Sequence, residues 1–272
     1  MNDIAHAAIT LPTTKVLAHN ADGLGWITFN QPEKRNAISM AMWAAVGAVA
    51  ERFGKDDTVR VVILSGAGGK AFASGADISE FATARASAAD EEKYHTYADT
   101  ARTALRNMSK PIIAMIQGYC IGGGCATALL ADLRIATPDS KFGVPAAKLG
   151  VAYALEGLHR LVALVGPSVA KEVMFTGRQF TAAEALATGL INRIVEPADL
   201  EAEVTALAQS IARNAPLTVH HSREAIDMLA GDPSNWDRAR IEALYKACFD
   251  SEDFREGRTA FMEKRTPTFR GK

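Results

Sequence analysis

Three consecutive glycines, Gly122-Gly123-Gly124, separate an apolar run from an Ala/Leu-rich segment. The run Pro111-Ile112-Ile113-Ala114-Met115-Ile116 reads as a buried strand, and Cys125-Ala126-Thr127-Ala128-Leu129-Leu130-Ala131 reads as a helix. Glycine at such a turn permits positive φ and lets a ligand approach bare backbone. The first amides of a helix have no internal partner and carry the positive end of the helix dipole. The turn therefore suits a phosphate, or an oxygen that gains negative charge during a reaction. It equally suits plain packing of a helix on a strand, and the glycines alone do not decide between the two. A second glycine turn, Gly75-Ala76-Asp77, follows another apolar strand. If the two strands are neighbours, one N–H from each turn could hold a single carbonyl oxygen. One such donor is worth ~2.7–4 kcal/mol to a developing oxyanion.

Other chemistry-bearing residues are few. Tyr153 could donate a hydrogen bond, or be a loop tyrosine with one wet end. Glu156 stands at a helix start, where a carboxylate is favoured electrostatically; facing a pocket, it would be an acid or base. His159, three residues on, lies on nearly the same face. Tyr94 and His95 could close over a bound acyl chain but are expected at the surface, and Asp132 is expected to hold backbone at a strand start rather than to catalyse. By charge alone, Lys34, Arg35 and Lys264 read as solvated surface cations.

The elements that position these residues follow from periodicity and turn chemistry. Lys15–Asn20 and Gly25–Asn30 form a hairpin across Asp22-Gly23. Ser39 caps a helix reaching about Phe53, and Val59–Ser65 is an apolar strand. Residues 82–92 read as a mobile surface segment, followed by a helix over about 91–107. Short strands are expected at Asp132–Ala136 and Lys141–Val144, then a loop over 145–154 and a helix near 156–164 broken at Gly166-Pro167. Helices alone are expected over 197–213, 216–229, 235–249 and 252–263. The pattern is an α/β core over 1–196 with a helical part over 197–272.

Bulk properties narrow the function class. The chain has 272 residues and a net charge of −1, which gives no electrostatic case for nucleic acid or an anionic membrane. It has no apolar run near the ~20 residues that span a bilayer. The N-terminus shows no secretory signal, and Cys120, Cys125 and Cys248 lack metal-ligand spacing, so a reducing cytoplasm is the expected location.

Several ordered motifs together resemble the enoyl-CoA hydratase/isomerase superfamily, the crotonases. They are Pro32-Glu33-Lys34-Arg35-Asn36-Ala37, Phe72-Ala73-Ser74-Gly75-Ala76-Asp77-Ile78, Gly118-Tyr119-Cys120-Ile121-Gly122-Gly123-Gly124-Cys125, Ala131-Asp132-Leu133-Arg134-Ile135-Ala136 and Gly189-Leu190-Ile191-Asn192. The resemblance runs from about Lys15 to Arg265. It implies a crotonase-like spiral of ββα units with a C-terminal helical trimerisation region, forming a homotrimer or dimer of trimers. It implies an acyl-CoA substrate, coenzyme A being part of the substrate and no other cofactor being needed. By motif position, the Ala76 and Gly123 amides form the oxyanion hole. Lys34, Arg35, Ala37, Asp77, Ile78 and Ser79 join them in substrate and CoA binding. Phe261 and Lys264 resemble tail residues that touch a neighbouring subunit's CoA.

The departures bear on the reaction. Hydratases of this family carry one glutamate just after Gly-Gly-Gly-Cys and a second after Phe-Gly-x-Pro, one to activate water and one to protonate carbon. Ala126 and Ala146 stand at those positions, and a methyl group transfers no proton. The stretch from Leu149 through Tyr153 to Arg160, and the C-terminal Asp250-Ser251-Glu252-Asp253-Phe254-Arg255-Glu256-Gly257 with Phe261-Met262-Glu263-Lys264-Arg265, resemble the methylmalonyl-CoA decarboxylase branch, where a tyrosine at the position of Tyr153 contacts substrate. That branch, however, has histidine at the position of Ala76, glutamate at that of Ala126, and Thr-Pro for Pro145-Ala146. Three readings stand: an enolate-stabilising lyase such as a decarboxylase, with Tyr153 and Glu156 as candidate catalytic groups; an enoyl-CoA hydratase; and a non-catalytic acyl-CoA binder.

Overall fold

Asp22 and Gly23 both take positive φ, 51° and 82°. They close β2 (Val16–Ala21) and β3 (Leu24–Phe29) into the hairpin that the Asp-Gly pair predicts. This computed structural model of the chain describes residues 7–77 and 88–272. From the hairpin the sheet continues in parallel through β4 (Val61–Gly66), β6 (Ile112–Ile116), β8 (Leu133–Ala136) and β11 (Arg193–Ile194), with β1 (Ala7–Ala8) on the far edge.

Alternate residues of these strands serve two cores. Val62, Leu64, Ile112 and Ala114 face the larger core, which holds Met42, Trp43 and Val46 of α1 (Met40–Lys55) and Ala98, Ala101 and Leu105 of α2 (Ala88–Arg106). Val61, Ile63 and Ile113 face Leu200, Val204 and Ala208 of α7 (Leu200–Ala212). A parallel strand covered on both faces reads as a continuous apolar run, as Val-Val-Ile-Leu does here. The first helix of the expected helical part is therefore packed on the sheet.

A smaller sheet, in the order β10 (Phe180–Thr181), β9 (Lys141–Gly143), β7 (Tyr119–Ile121) and β5 (Ala71–Ala73), runs beside the first. The chain alternates between the sheets: β4 to β5 to α2, β6 to β7 to α3 (Gly123–Ala128), β8 to β9 to α4 (Ala146–Leu149). This is the repeating ββα spiral. It corrects one detail of the sequence reading, because each glycine turn follows a short strand of the second sheet and not the long apolar strand itself. Three residues carry too little pattern to announce themselves as a strand.

Other boundaries also differ. Residues 88–92 belong to α2, which begins earlier than expected; the rest of the segment expected to be mobile, residues 82–87, lies outside the described residues. The loop over 145–154 contains α4. The next helix, α5 (Leu155–Thr176), runs beyond residue 164. Its helical backbone is interrupted at Gly166, with φ 74° and ψ 165°, where Gly-Pro predicts a break. Ser39 accepts the Met42 N–H at 3.3 Å and caps α1 as expected. After β11 come α7, α8 (Pro216–Leu229), α9 (Arg238–Asp250) and α10 (Glu252–Glu263). Two-residue β10 is followed by α6 (Ala182–Ala187), held by a capping box between Thr181 and Glu184.

One buried ion pair ties α8 to the core. Arg223 Nε lies 2.9 Å from Asp132, whose carboxylate also accepts the Ile112 N–H at 2.7 Å; Arg223 Nη1 donates to the Met108 carbonyl. Asp132 thus holds backbone at a strand start, as read from the sequence. Arg223→Met would leave that carboxylate without its counter-charge. We expect a loss of about 3 kcal/mol in urea unfolding; an unchanged midpoint would show the pair to be dispensable.

Candidate active site

The two glycine turns meet. After β5, Gly75 takes φ 111°. The Ile38 N–H donates to the Gly75 carbonyl at 2.7 Å, and the Asp77 N–H donates to the Ile38 carbonyl at 3.1 Å. This parallel bridge brackets Ala76, so the Ala76 N–H points away from Ile38. After β7, Gly122 takes φ 55° and ψ −120°, a conformation that glycine alone adopts readily, and Gly123 opens α3. A Cβ built on Gly123 would lie 3.7 Å from the Ala76 nitrogen, and one on Gly75 would lie 3.8 Å from the Gly123 nitrogen. Among the described residues, neither amide donates to a backbone carbonyl. Two adjacent amides without a backbone carbonyl partner among the described residues, one of them at a helix start, have the arrangement that holding one developing oxyanion would require.

The loop carrying Lys34 and Arg35 is braced against this turn. Asn36 takes φ 55° and is fully buried. Its Nδ2 donates to the Ala67 and Ala71 carbonyls at 2.9 and 2.7 Å, and its Oδ1 accepts the Gln31 N–H at 2.8 Å. Sequence reasoning passed over Asn36 as a site residue. Its available signal was that asparagine tolerates left-handed φ better than most residues. Lys34 is more than the solvated cation expected from charge: its Nζ lies 3.0 Å from Asp77 Oδ2, and Asp77 is buried. Arg35 is stacked over the Tyr119 ring, 4.8 Å from its centroid. Ala37 is buried beside them. Ile78 and Ser79 lie outside the described residues.

A cavity of about 400 Å³ lies behind α3. Ala126, one helical turn from Gly123, lines it with Tyr94, His95 and Arg102 of α2 and with Tyr153 and Glu156. Tyr94 corrects an expectation: it is buried, accepting a hydrogen bond from Trp43 Nε1 at 3.0 Å and donating to the Ile38 carbonyl at 3.3 Å. It belongs to the apolar face of α2, which the polar composition of its first turns hides. His95 is exposed, as expected. The Tyr153 ring lies against Gly157, where a Cβ would come within 2.7 Å of it. The Tyr153 hydroxyl is buried with no hydrogen-bond partner among the described residues, and burial pushes its pKa well above the ordinary tyrosine value. It is therefore a protonated donor near neutral pH, not a base. Glu156 is exposed in the first turn of α5, so it combines the helix-start position with a place on the cavity wall. His159 is exposed and is not among the lining residues. Ala146 is buried one residue beyond Pro145, whose Cδ lies 3.9 Å from a Cβ built on Gly122.

The enoyl-CoA hydratase/isomerase family model matches residues 19–272. The chain belongs to that family. It is 35% identical over 239 residues to the short-chain-enoyl-CoA hydratase of Clostridium acetobutylicum, covering 88% of this chain and 91% of that protein. It is 34% identical over 250 residues to the carnitinyl-CoA dehydratase of Escherichia coli O157:H7, covering 90% and 94%. A crystal structure of an enoyl-CoA hydratase/carnithine racemase from Magnetospirillum magneticum superposes with a TM-score of 0.89 at 36% identity, covering 96% of this chain and 97% of the other. The chain is thus an acyl-CoA-processing member of the enoyl-CoA hydratase/isomerase family, with the crotonase fold.

Within this family member, the tail residues stand apart from the turn. Phe261 is 82% exposed and Lys264 ends α10 in a left-handed conformation. Helix α10 packs on α9, and α9 on α8. One chain does not bring Phe261 or Lys264 to Gly123. Among the described residues no His/Cys/Asp/Glu cluster could hold a metal, and no helix is long and apolar enough to cross a membrane.

The third glycine sets the spacing of the site. A Cβ on Gly124 would lie 2.1 Å from the Ala73 carbonyl oxygen. Gly124→Ala must push α3 off β5. We expect a stability loss of about 1–3 kcal/mol together with loss of acyl-CoA binding. Gly54→Ala is the control: no atom lies within 4 Å of its Cβ position, and it should stabilise by roughly 0.5–1 kcal/mol. Urea melts and calorimetric titration with a CoA ester measure both; unimpaired binding in Gly124→Ala would show that the close approach does not set the site.

Proposed function

We propose that this family member is an acyl-CoA lyase that stabilises a thioester enolate on the Ala76 and Gly123 amides without a pair of catalytic glutamates, and that decarboxylation of a malonyl-type thioester is its reaction. Coenzyme A enters as part of the substrate, and no separate cofactor is involved. The observation that carries the reading is Ala126: one helical turn beyond Gly123, it offers the cavity a methyl group where proton transfer would need a carboxylate.

The step balances without a base. The bond between the α-carbon and the carboxylate breaks, and its electron pair moves into the α-carbon–carbonyl system. Carbon dioxide leaves, and the thioester oxygen takes the negative charge between the two N–H groups. A proton then adds to the α-carbon. The buried Tyr153 hydroxyl, held protonated, is the candidate donor and is reprotonated by water. A glutamate at position 126 would repel the departing carboxylate; alanine does not.

A second reading rests on Glu156. Relatives named as a hydratase and a dehydratase share about a third of the residues, and Glu156 lines the same cavity as Ala126. A single carboxylate there would serve hydration or dehydration.

We further propose a homotrimer or dimer of trimers in the cytoplasm, with Phe261 and Lys264 reaching a neighbour's CoA. Leu149, Val151, Leu155, Phe175, Phe261 and Met262 are each more than half exposed, an apolar surface that association would cover.

The test compares methylmalonyl-CoA, ethylmalonyl-CoA and crotonyl-CoA. We expect carbon dioxide release from a malonyl thioester, with no titration attributable to Tyr153 between about pH 6 and 9 because its pKa lies above the usual ~10. Crotonyl-CoA hydration at ~1 per second or faster would overturn the reading in favour of the second, and loss of that activity in Glu156→Gln would assign it. Tight binding of CoA esters with no turnover would leave a binder. Ala126→Glu with Ala146→Glu should create measurable hydration where the wild type has none.

A further inference from the structure

The Ala76 amide has no long side chain of its own to aim it. The close approach of Gly124 to Ala73 sets how near α3 and its Gly123 amide come. It does not set the direction in which the Ala76 N–H points. On one side of Ala76 stands Gly75, at φ 111°, a residue type with little rotational stiffness. On the other stands Asp77, whose side chain is tied down. Lys34 Nζ donates to Asp77 Oδ2 at 3.0 Å, and Gln31 Nε2 donates to the same oxygen at 3.3 Å. We propose that Lys34 is a positioning residue: its ion pair with Asp77 aims the Ala76 N–H at the thioester oxygen, and Lys34 is not a ligand of the CoA phosphates. The proposal rests on the reading of the Ala76 and Gly123 amides as an oxyanion site. It gives Lys34 and Asp77 a different role from the CoA binding that the family resemblance implies.

Burial shows which partner needs the other. The Asp77 side chain is 4% exposed and that of Lys34 is 43% exposed. A carboxylate taken out of water demands a counter-charge, and removing one partner of such a pair leaves the other uncompensated. Lys34 brings that charge inward from the surface. Paired at 3.0 Å with a carboxylate, its ammonium also presents little net charge outward, so a phosphate would gain little from it.

The backbone couples the pair to the amide. The Ser74 N–H donates to the Arg35 carbonyl at 3.1 Å, the Ile38 N–H to the Gly75 carbonyl at 2.7 Å, and the Asp77 N–H to the Ile38 carbonyl at 3.1 Å. The Ser74 hydroxyl donates to the Lys34 carbonyl at 3.3 Å. Residues 74–77 thus lie along residues 34–38, with Ala76 between two anchored neighbours. Without the ammonium, the buried carboxylate turns toward water and draws the Asp77 backbone with it. Gly75 yields on the other side, and the Ala76 N–H swings off its line. An oxyanion donor keeps its strength only when it is already placed about 2.7–3.1 Å from the oxygen.

The test reads the carbonyl itself and needs no turnover. Isobutyryl-CoA has neither a carboxylate to lose nor a double bond to hydrate. Isobutyryl-pantetheine carries the same thioester without the nucleotide and its phosphates. Isotope-edited infrared spectroscopy of each ester bound to the full-length protein measures how far hydrogen bonding lowers the carbonyl stretch, and calorimetric titration gives the affinities. We expect a lowered stretch for both esters in the wild type. Lys34→Gln and Asp77→Asn should each cut that displacement by about half, as when one of two donors is misaligned, and equally for both esters. The ratio of CoA-ester to pantetheine-ester affinity should stay at its wild-type value. Lys34 is at the surface, so Lys34→Gln decides alone if Asp77→Asn does not fold. A displacement in Lys34→Gln equal to that of the wild type would show a pair that only stabilises the fold and would overturn the proposal. A CoA-ester affinity that falls relative to the pantetheine ester would reveal a phosphate contact and would overturn it too. Binding of both esters by the wild type with no displaced stretch would overturn the oxyanion reading and the proposal together, and failure of both to bind would overturn the acyl-CoA reading itself.

Discussion

Helix α3 rests directly on the backbone of β5, with the missing Cβ of Gly124 as the clearance over the Ala73 carbonyl. That contact sets the distance between the Gly123 amide, one residue before it, and the Ala76 amide, three residues beyond Ala73. A methyl group there would overlap a carbonyl oxygen that belongs to a paired strand and has nowhere to go. The two donors are therefore spaced by backbone, and no side chain can relax to change the gap. Interior backbone of this kind carries its dipoles in place before the reaction and loses nothing to reorganisation.

The surroundings hold this unit from several directions. Ile38 bridges Ala76 from the loop side, Asn36 ties that loop to the carbonyls of Ala67 and Ala71, and Asp77 is anchored by Lys34 and Gln31. Chemistry-bearing side chains, by contrast, are sparse near the amides. Positions 126 and 146 are methyl groups, and the polar groups on the cavity wall come from α2, the start of α5 and Tyr153 just before it. The scaffold is that of the enoyl-CoA hydratase/isomerase family. Two closely spaced backbone amides thus stand near positions that carry only methyl groups.

The legible parts of the fold are those with local causes. Asp22-Gly23 demands a hairpin because both residues must adopt positive φ, and Gly166-Pro167 interrupts a helix because neither continues it cleanly. Ser39 caps α1 through its own hydroxyl. The parts that were not legible have causes elsewhere in the chain. Tyr94 is buried because Trp43, fifty-one positions earlier, offers it a hydrogen bond. The three-residue strands β5, β7 and β9 exist because they pair with one another, not because any of them has a pattern of its own. Lys34 and Asp77, forty-three positions apart, meet only when the loop docks on the turn.

Residue types read in order were enough for the alternation of strands and helices, the family motifs, the glycines at both turns, and the alanines at positions 126 and 146. These are properties of residue type and local conformation, and they stand without knowledge of the neighbours. Three-dimensional packing was needed to bring the two turns face to face, to put Tyr153 and Arg102 in one cavity with Ala126, and to set Phe261 and Lys264 away from the turn of their own chain. The physical reason is that each of these facts depends on the distance between segments far apart in the chain. That distance is set by packing across the two sheets, which no single stretch of residues contains.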